Sequence, residues 1–142
     1  MDERSEANLV GVHPFLVAIV RGAHAMMLDD SPGLAFMVIE GVRNLDRQRA
    51  LVAAGASRTM NSYHLMRITK QGTFGLAVDL LAEIEGLGAR WDWPLYPRIA
   101  RRMKAAAEQL GHRITWGGDW DGDNSSANES FRDGPHFQLE GV

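Results

Sequence analysis

An aspartate and a histidine stand three positions apart near the carboxyl end, in Asp133-Gly134-Pro135-His136. Pro135 locks its own φ and Gly134 tolerates angles that other residues avoid, so the pair reads as a turn entering an alternating, strand-like end. A histidine held this way can bind a metal while the carboxylate takes the proton of a metal-bound water. His64 and Asp79 lie upstream, Asp79 within the strand-like segment Gly75-Leu76-Ala77-Val78-Asp79. An aspartate among such apolar neighbours is costly unless it is paired, hydrogen-bonded or metal-bound. His64, Asp79 and His136 together offer two nitrogens and one oxygen, which with one open position is the donor set of a catalytic zinc. Asp133 would then pass a proton to a leaving amine, and Arg43 would steady a developing oxyanion. The residues alone leave a second reading open, a metal-free domain whose polar side chains are structural.

Several elements must position these groups. Residues 1–11 read as a loose lead-in. His13-Pro14 opens a helix to about residue 28, with Leu16, Ile19, Val20, Ala23, Met26 and Met27 on one broad apolar face. Asp29 to Gly33 is a turn by composition, and a buried strand is expected at 35–39, with Glu40 and Arg43 at its exit. Asn44 caps a helix that Gly55 ends; Gln48 in it can brace Arg43 or the chain beyond, although solvent exposure is the simpler account. Residues 65–75 read as a hairpin turning at Lys70-Gln71-Gly72, followed by the strand that carries Asp79. Residues 83–88 form a surface connection. Trp91 to Pro97 forms an aromatic rim before a helix over 98–110, stopped by Gly111. A short strand is expected at 114–116, then a polar loop at 121–129. Its acidic alternation hints at calcium, but no frame from Asp119 or Asp121 places Gly and Glu where an EF-hand needs them. His13, His24 and His112 read as ordinary helix or surface histidines.

The balance of 142 residues, 45% hydrophobic and 23% charged, is that of one soluble globular domain with a sufficient core. A formal net charge of -3 without a basic tract gives nucleic-acid binding little electrostatic support. With no cysteine, thiolate metal sites and disulfides are excluded, and any metal must use His, Asp or Glu. The acidic start is unlike a signal peptide, and the apolar run 15–20 is too short to cross a bilayer. No stable membrane insertion is expected, and synthesis and folding are expected in the cytoplasm. Among the residues, no phosphate loop, dinucleotide fingerprint or serine-centred elbow appears.

The order Ser62-Tyr63-His64, Gly75-Leu76-Ala77-Val78-Asp79 and Asp133-Gly134-Pro135-His136 resembles the LAS/VanY-type zinc peptidases. It is most similar to the phage endolysins that act as L-alanyl-D-glutamate peptidases. Glu40-Gly41-Val42-Arg43 with Gln48, and Trp116-Gly117-Gly118-Asp119-Trp120, extend the likeness. A looser match at Val12-His13-Pro14 carries it over nearly the whole chain. The resemblance implies a small single α+β domain over 1–142, hedgehog/DD-peptidase-like, with a central antiparallel sheet and flanking helices. It implies Zn2+ on His64, Asp79 and His136, Asp133 as catalytic base, and Arg43 supporting substrate or oxyanion. The implied substrate is the stem peptide of bacterial peptidoglycan, cut between L-alanine and D-glutamate by a monomer. The implied setting is host-cell lysis, from the host cytoplasm to the cell wall. A D-alanyl-D-alanine peptidase of the same scaffold and a silent wall-binding domain are the alternatives. One departure stands out. The family separates its first two ligands by seven positions, whereas His64 and Asp79 are fifteen apart, as though eight residues had been inserted within 65–74. The expectation is a protruding hairpin that lets both ligands converge and lines or covers the groove.

Overall fold

A computed structural model of the chain describes residues 1–57, 59–123 and 132–142. Four helices pack beside a five-stranded antiparallel sheet: α1 (Glu3–Leu9), α2 (Pro14–Asp30), α3 (Leu45–Ala53) and α4 (Leu95–Leu110). The strands β1 (Leu34–Glu40), β4 (Ala77–Ile84), β7 (His136–Glu140) and β6 (Arg113–Trp116) lie side by side in that order, and β5 (Gly88–Arg90) also pairs with β4. A separate two-stranded ribbon is made by β2 (Met66–Thr69) and β3 (Gly72–Gly75).

The core forms where the apolar face of α2 meets α4 and both cover the sheet. Leu16, Ile19, Val20, Ala23 and Met27 are all buried on α2, and Ile99, Met103, Ala106 and Ala107 answer them from α4. The helical spacing of these positions puts them on one stripe per helix, which is why the sequence folds this way. From the sheet, Phe36, Val38, Val78, Leu80, Phe137 and Leu139 complete the same cluster. Gly111, at φ 76°, closes α4 in the left-handed conformation that glycine adopts at little cost.

Four expectations are corrected. Residues 1–11 are not a loose lead-in: Asp2 caps α1, and buried Ser5 accepts a hydrogen bond from the Val38 amide, fastening the helix to β1. Residues 83–88 are not simply a surface connection, because β4 runs through Ile84 and turns directly into its neighbour β5. Helix α4 begins at Leu95, ahead of the expected residue 98, since Pro97 is tolerated in a first turn whose amides lack helical partners. His13 is neither on the surface nor within a helix: it is fully buried and its Nδ1 caps α2 by accepting from the Phe15 amide.

A bulge between Val38 and Glu40 shifts the β1–β4 register so that Glu40 lies opposite Asp79. Bulges re-aim side chains in this way. Here the consequence is chemical, because β4 also pairs with β7 and sets Asp79 opposite His136.

Candidate metal centre

Three sequence-distant segments meet at one corner of the sheet. Asp79 is brought by β4 and His136 by the first position of β7. His64 comes from the segment before β2, where its backbone carbonyl accepts from the Arg43 amide at 2.9 Å. One ligand atom from each of His64, Asp79 and His136 lies within 4.8 Å of the other two. His64 Nε2 and His136 Nδ1 approach Asp79 Oδ1 at 3.3 and 3.5 Å.

The other ring nitrogens are already engaged. His64 Nδ1 donates to the Gly41 carbonyl at 2.8 Å, and His136 Nε2 meets Gln138 Oε1 at 2.8 Å. In the neutral ring each contact puts the proton on the outer nitrogen and leaves the inner lone pair facing Asp79. His64 Nε2 and Asp79 Oδ1 are both buried without a hydrogen-bond partner. Burial disfavours charge on Asp79 and His136, yet their pairing wins. The Asp79 carboxyl is held well below the usual carboxylate range, and His136 is raised above the usual histidine value. A corner that converges two nitrogen lone pairs on a buried carboxylate is built to take a cation.

Arg43 stands behind this corner. Its guanidinium donates through Nε to Glu40 at 2.7 Å and through Nη1 to Gln48 at 2.8 Å, and Nη2 lies 3.5 Å from Asp79 Oδ2. Gln48 is fully buried, correcting its expected solvent exposure, because it accepts from Arg43 and donates to Ser57 and the Thr59 carbonyl. Glu40 is shared between Arg43 and Arg47. Gly41 has no room for a side chain, since a Cβ there would overlap the Asn8 carbonyl.

Asp133 lines the same cavity, of about 960 Å³, as His64, Asp79 and His136. The turn that carries it is pinned on both sides. Its amide donates to the Gly117 carbonyl at 2.8 Å, and Trp116 Nε1 donates to the Gly134 carbonyl at 2.7 Å. A Cβ on Gly117 would overlap the Asp133 carbonyl, so the Gly117-Gly118 pair is a matter of space. Gly134 likewise serves by size, with Trp93 and Tyr96 where a Cβ would point, and its φ lies outside the left-handed region. Burial, then the Asp79 charge, raises the Asp133 carboxyl above its ordinary value, with His136, His64 and Arg43 pulling the other way. Asp79 and Asp133 are thus driven apart within one cavity, the separation expected of carboxylates with different tasks.

Trp91 and Trp120 also line the cavity, so part of the expected aromatic rim borders the site. The hairpin does not. None of its residues 66–75 is among the cavity walls, which corrects its expected place over the groove. Its two ends instead meet beneath the site, where the Leu76 amide donates to the Tyr63 carbonyl at 2.8 Å. The expected turn of backbone between His64 and Asp79 therefore leaves and returns without parting them. A second acidic group, Asp119, Asp121 and Asp123, gathers on the neighbouring turn, a proximity that counting EF-hand positions does not address. Most of the expected polar loop at 121–129 lies outside the described residues.

A family profile of phage L-alanyl-D-glutamate peptidases matches residues 1–140. The chain belongs to that family. It is 39% identical to the Serratia marcescens L-Ala D-Glu endopeptidase ChiX, whose crystal structure superposes with a TM-score of 0.78 over 99% of this chain and 89% of that one. The L-alanyl-D-glutamate peptidase of Listeria phage A118 is 34% identical over 122 residues, 84% of this chain but 36% of the relative, so the chain spans about a third of that protein. The peptidase of the same name from Escherichia phage T5 is 26% identical over 140 residues, 96% of this chain and 95% of the relative.

Proposed function

We propose that the chain is a zinc-dependent endopeptidase that cuts the L-alanyl-D-glutamate bond in peptidoglycan stem peptides. The observation that carries this reading is the corner itself: two inward lone pairs and an unpartnered carboxylate oxygen, beside a second carboxylate of raised pKa in the same cavity. Two nitrogens and one oxygen, with no thiolate in the chain, suit zinc and leave room for a further ligand. When bound, such an ion lowers the pKa of water and polarises the scissile carbonyl.

The chain's own residues do the rest. His64 and His136 hold their inner nitrogens free because Gly41 and Gln138 occupy the outer ones. Asp133, made a stronger base by burial, takes a proton on its carboxylate and returns it to the leaving amine. Arg43 keeps Asp79 oriented through Nη2 and presents positive charge to the cavity wall, where charge develops on the attacked carbonyl. The names of the phage and Serratia relatives support this choice of bond, and the cavity of about 960 Å³ is the space a stem peptide would enter. Its target then lies in the cell wall. No described helix is long and apolar enough to cross a membrane.

The test is mass spectrometry of purified peptidoglycan digested by the protein, in chelated and zinc-restored samples. New L-alanine carboxyl ends and D-glutamate amino ends, lost on chelation and regained with zinc, are expected. Release of D-alanine would move the reading to the other bond of the same peptide, and intact stem peptides from folded, zinc-loaded protein would leave a wall-binding domain.

A further inference from the structure

The two histidines at the corner are oriented by different means. His64 is fixed by a backbone carbonyl, which can only accept. His136 is fixed by an amide side chain, and an amide has no direction of its own, because its oxygen and nitrogen ends are nearly isosteric. Something must choose which end faces the ring.

That choice is made one residue further along the strand. Residues 136, 138 and 140 alternate along β7, so their side chains share one face of the sheet. Gln138 Nε2 donates to Glu140 Oε1 at 2.8 Å, and Glu140 Oε2 accepts from the Tyr63 hydroxyl at 3.3 Å. An ionised carboxylate only accepts, so it draws the amino end of Gln138 toward itself. The amide oxygen is thereby left to face His136 Nε2, which must carry its proton, and the lone pair falls on Nδ1, the nitrogen aimed at Asp79. Tyr63 adjoins His64 in sequence, so the same carboxylate is braced against the segment that supplies the other histidine.

We infer that Glu140 and Gln138 form a directional relay that sets the tautomer of His136, Glu140 acting only through the amide. Both are positioning residues. The relay rests on the metal reading given above for its purpose, but its geometry stands on these hydrogen bonds. It makes a conditional prediction that a merely structural Glu140 does not. With glutamate at 138 the side chain accepts from either oxygen, has no amino end to direct, and no longer needs Glu140.

The experiment is a double-mutant cycle in the full chain with Gln138→Leu, Glu140→Gln, Gln138→Glu and the double variant Gln138→Glu/Glu140→Gln. Zinc affinity is read by chelator competition, the His136 Nε2–H by long-range proton–nitrogen NMR on histidine-labelled protein, and folding by circular dichroism. Gln138→Leu is expected to weaken zinc by about 10–100-fold and to lose the protected Nε2–H. Glu140→Gln is expected to cost about tenfold alone and to cost nothing in the Gln138→Glu background, where it also separates two carboxylates. Gln138→Glu is compared only with its own double variant, because it sets a carboxylate where the 2.8 Å hydrogen bond to Glu140 stood, and it keeps the cycle readable if Gln138→Leu fails to fold. Equal losses from Glu140→Gln in both backgrounds would overturn the relay and leave Glu140 as an anchor for Tyr63. An unprotected Nε2–H in the unaltered chain would overturn it as well. Failure of the unaltered chain to bind zinc would defeat the metal reading separately, while protection of Nε2–H in that chain and its loss in Gln138→Leu still decide the relay.

Discussion

The ribbon β2–β3 sits in the chain between two groups of the corner, His64 and Asp79, yet opposite kinds of contact hold ribbon and corner. At the corner, side chains from residues 43, 64, 79, 133 and 136 line one cavity, and long-range pairing of β4 with β7 sets Asp79 against His136. The ribbon forms its own two-stranded sheet, bridges Val12 at Gly75, and exposes Ile68 at 89% and Met66 at 48%. Its anchors are few and lie along its length: Arg67 Nη2 donates to the Asn61 carbonyl and side-chain oxygen at 2.9 Å, and the Arg67 guanidinium lies over the Tyr63 ring. Gln71 reaches His13 Nε2 at 2.9 Å, Phe74 packs edge-on to the same ring, and Gly75 exchanges backbone hydrogen bonds with Gly11 and His13. The difference teaches that chain length between two ligands matters less than where the chain is pinned. Because Tyr63 and Leu76 are hydrogen-bonded to each other, the excursion between them is free to vary without moving His64 from Asp79.

The comparison breaks most sharply at the corner. His136→Ala removes one donor and leaves Asp79 buried against a cavity, so zinc affinity should fall by more than the roughly 10–100-fold typical of losing an outer-shell partner. Turnover should fall with it. Metal analysis after dialysis against a weak chelator checks this, and full occupancy would remove His136 from the ligand set.

Asp133→Asn comes next. Zinc and fold should remain, while turnover on stem peptides drops by about 10²–10⁴-fold, the range for loss of a positioned proton acceptor. The pH profile gives the sign. Asp133 must be ionised to accept a proton, and its carboxyl is raised by burial and by Asp79, so the acid limb of kcat/KM should lie above the ordinary aspartate range and activity should fall as pH drops through it. Stability runs the other way. The folded state holds this proton more tightly than the unfolded chain, so ionised Asp133 costs stability above about pH 4, and the asparagine variant should melt no lower than the parent at neutral pH. A matching fall in melting temperature and activity would make Asp133 structural.

Much of this corner was legible because its groups are chemically rare in their settings. Asp79 among Ala77, Val78, Leu80 and Leu81 has few physical excuses, and Asp133-Gly134-Pro135-His136 can hardly be anything but a fixed turn. The apolar stripes of α2 and α4 are likewise written in spacing. What could not be read depends on contacts between distant segments. Gln48 could be read as a brace for Arg43, but its burial could not, since its further partners Ser57 and Thr59 are set by tertiary packing. The bulge that lays Glu40 against Asp79 leaves no local signature. Helix α1 hid for a related reason: seven residues have weak intrinsic helicity, and the contact of Ser5 with β1 secures them. Gln138 and Glu140 had a signal, the polar alternation after His136, but strands alternate for ordinary reasons too.

Shortening the ribbon tests the other half of the comparison. A variant that joins Leu65 to Gly75 through a two-residue turn keeps the Leu76–Tyr63 hydrogen bond and every group at the corner. It loses the Gln71 hydrogen bond and the Phe74 contact with His13, together worth about 1–3 kcal/mol, and the exposed Arg67 contacts with Asn61 and Tyr63. The melting temperature should fall by several degrees while zinc affinity and kcat/KM on soluble stem peptides change little. A large loss of zinc would show that the ribbon, and not the Tyr63–Leu76 closure, keeps the ligands together.

The smallest effect is expected at the ribbon's exposed face. Ile68 is 89% exposed and sits opposite Thr73, so Ile68→Thr removes apolar surface that the fold does not bury. Threonine also keeps the β-branched shape that favours a strand, so the change in stability should stay within about 0.5 kcal/mol. Thermal melts and turnover on soluble peptides should superimpose on those of the parent. Digestion of intact wall carries the sharper information. Unchanged digestion would leave the ribbon a passive loop extension. A selective loss on intact wall, with soluble peptides still cut, would mean that the ribbon touches the polymer outside the catalytic cavity. The contrast between a corner built by distant segments and a ribbon held by a few side chains would then become a contrast between chemistry and capture.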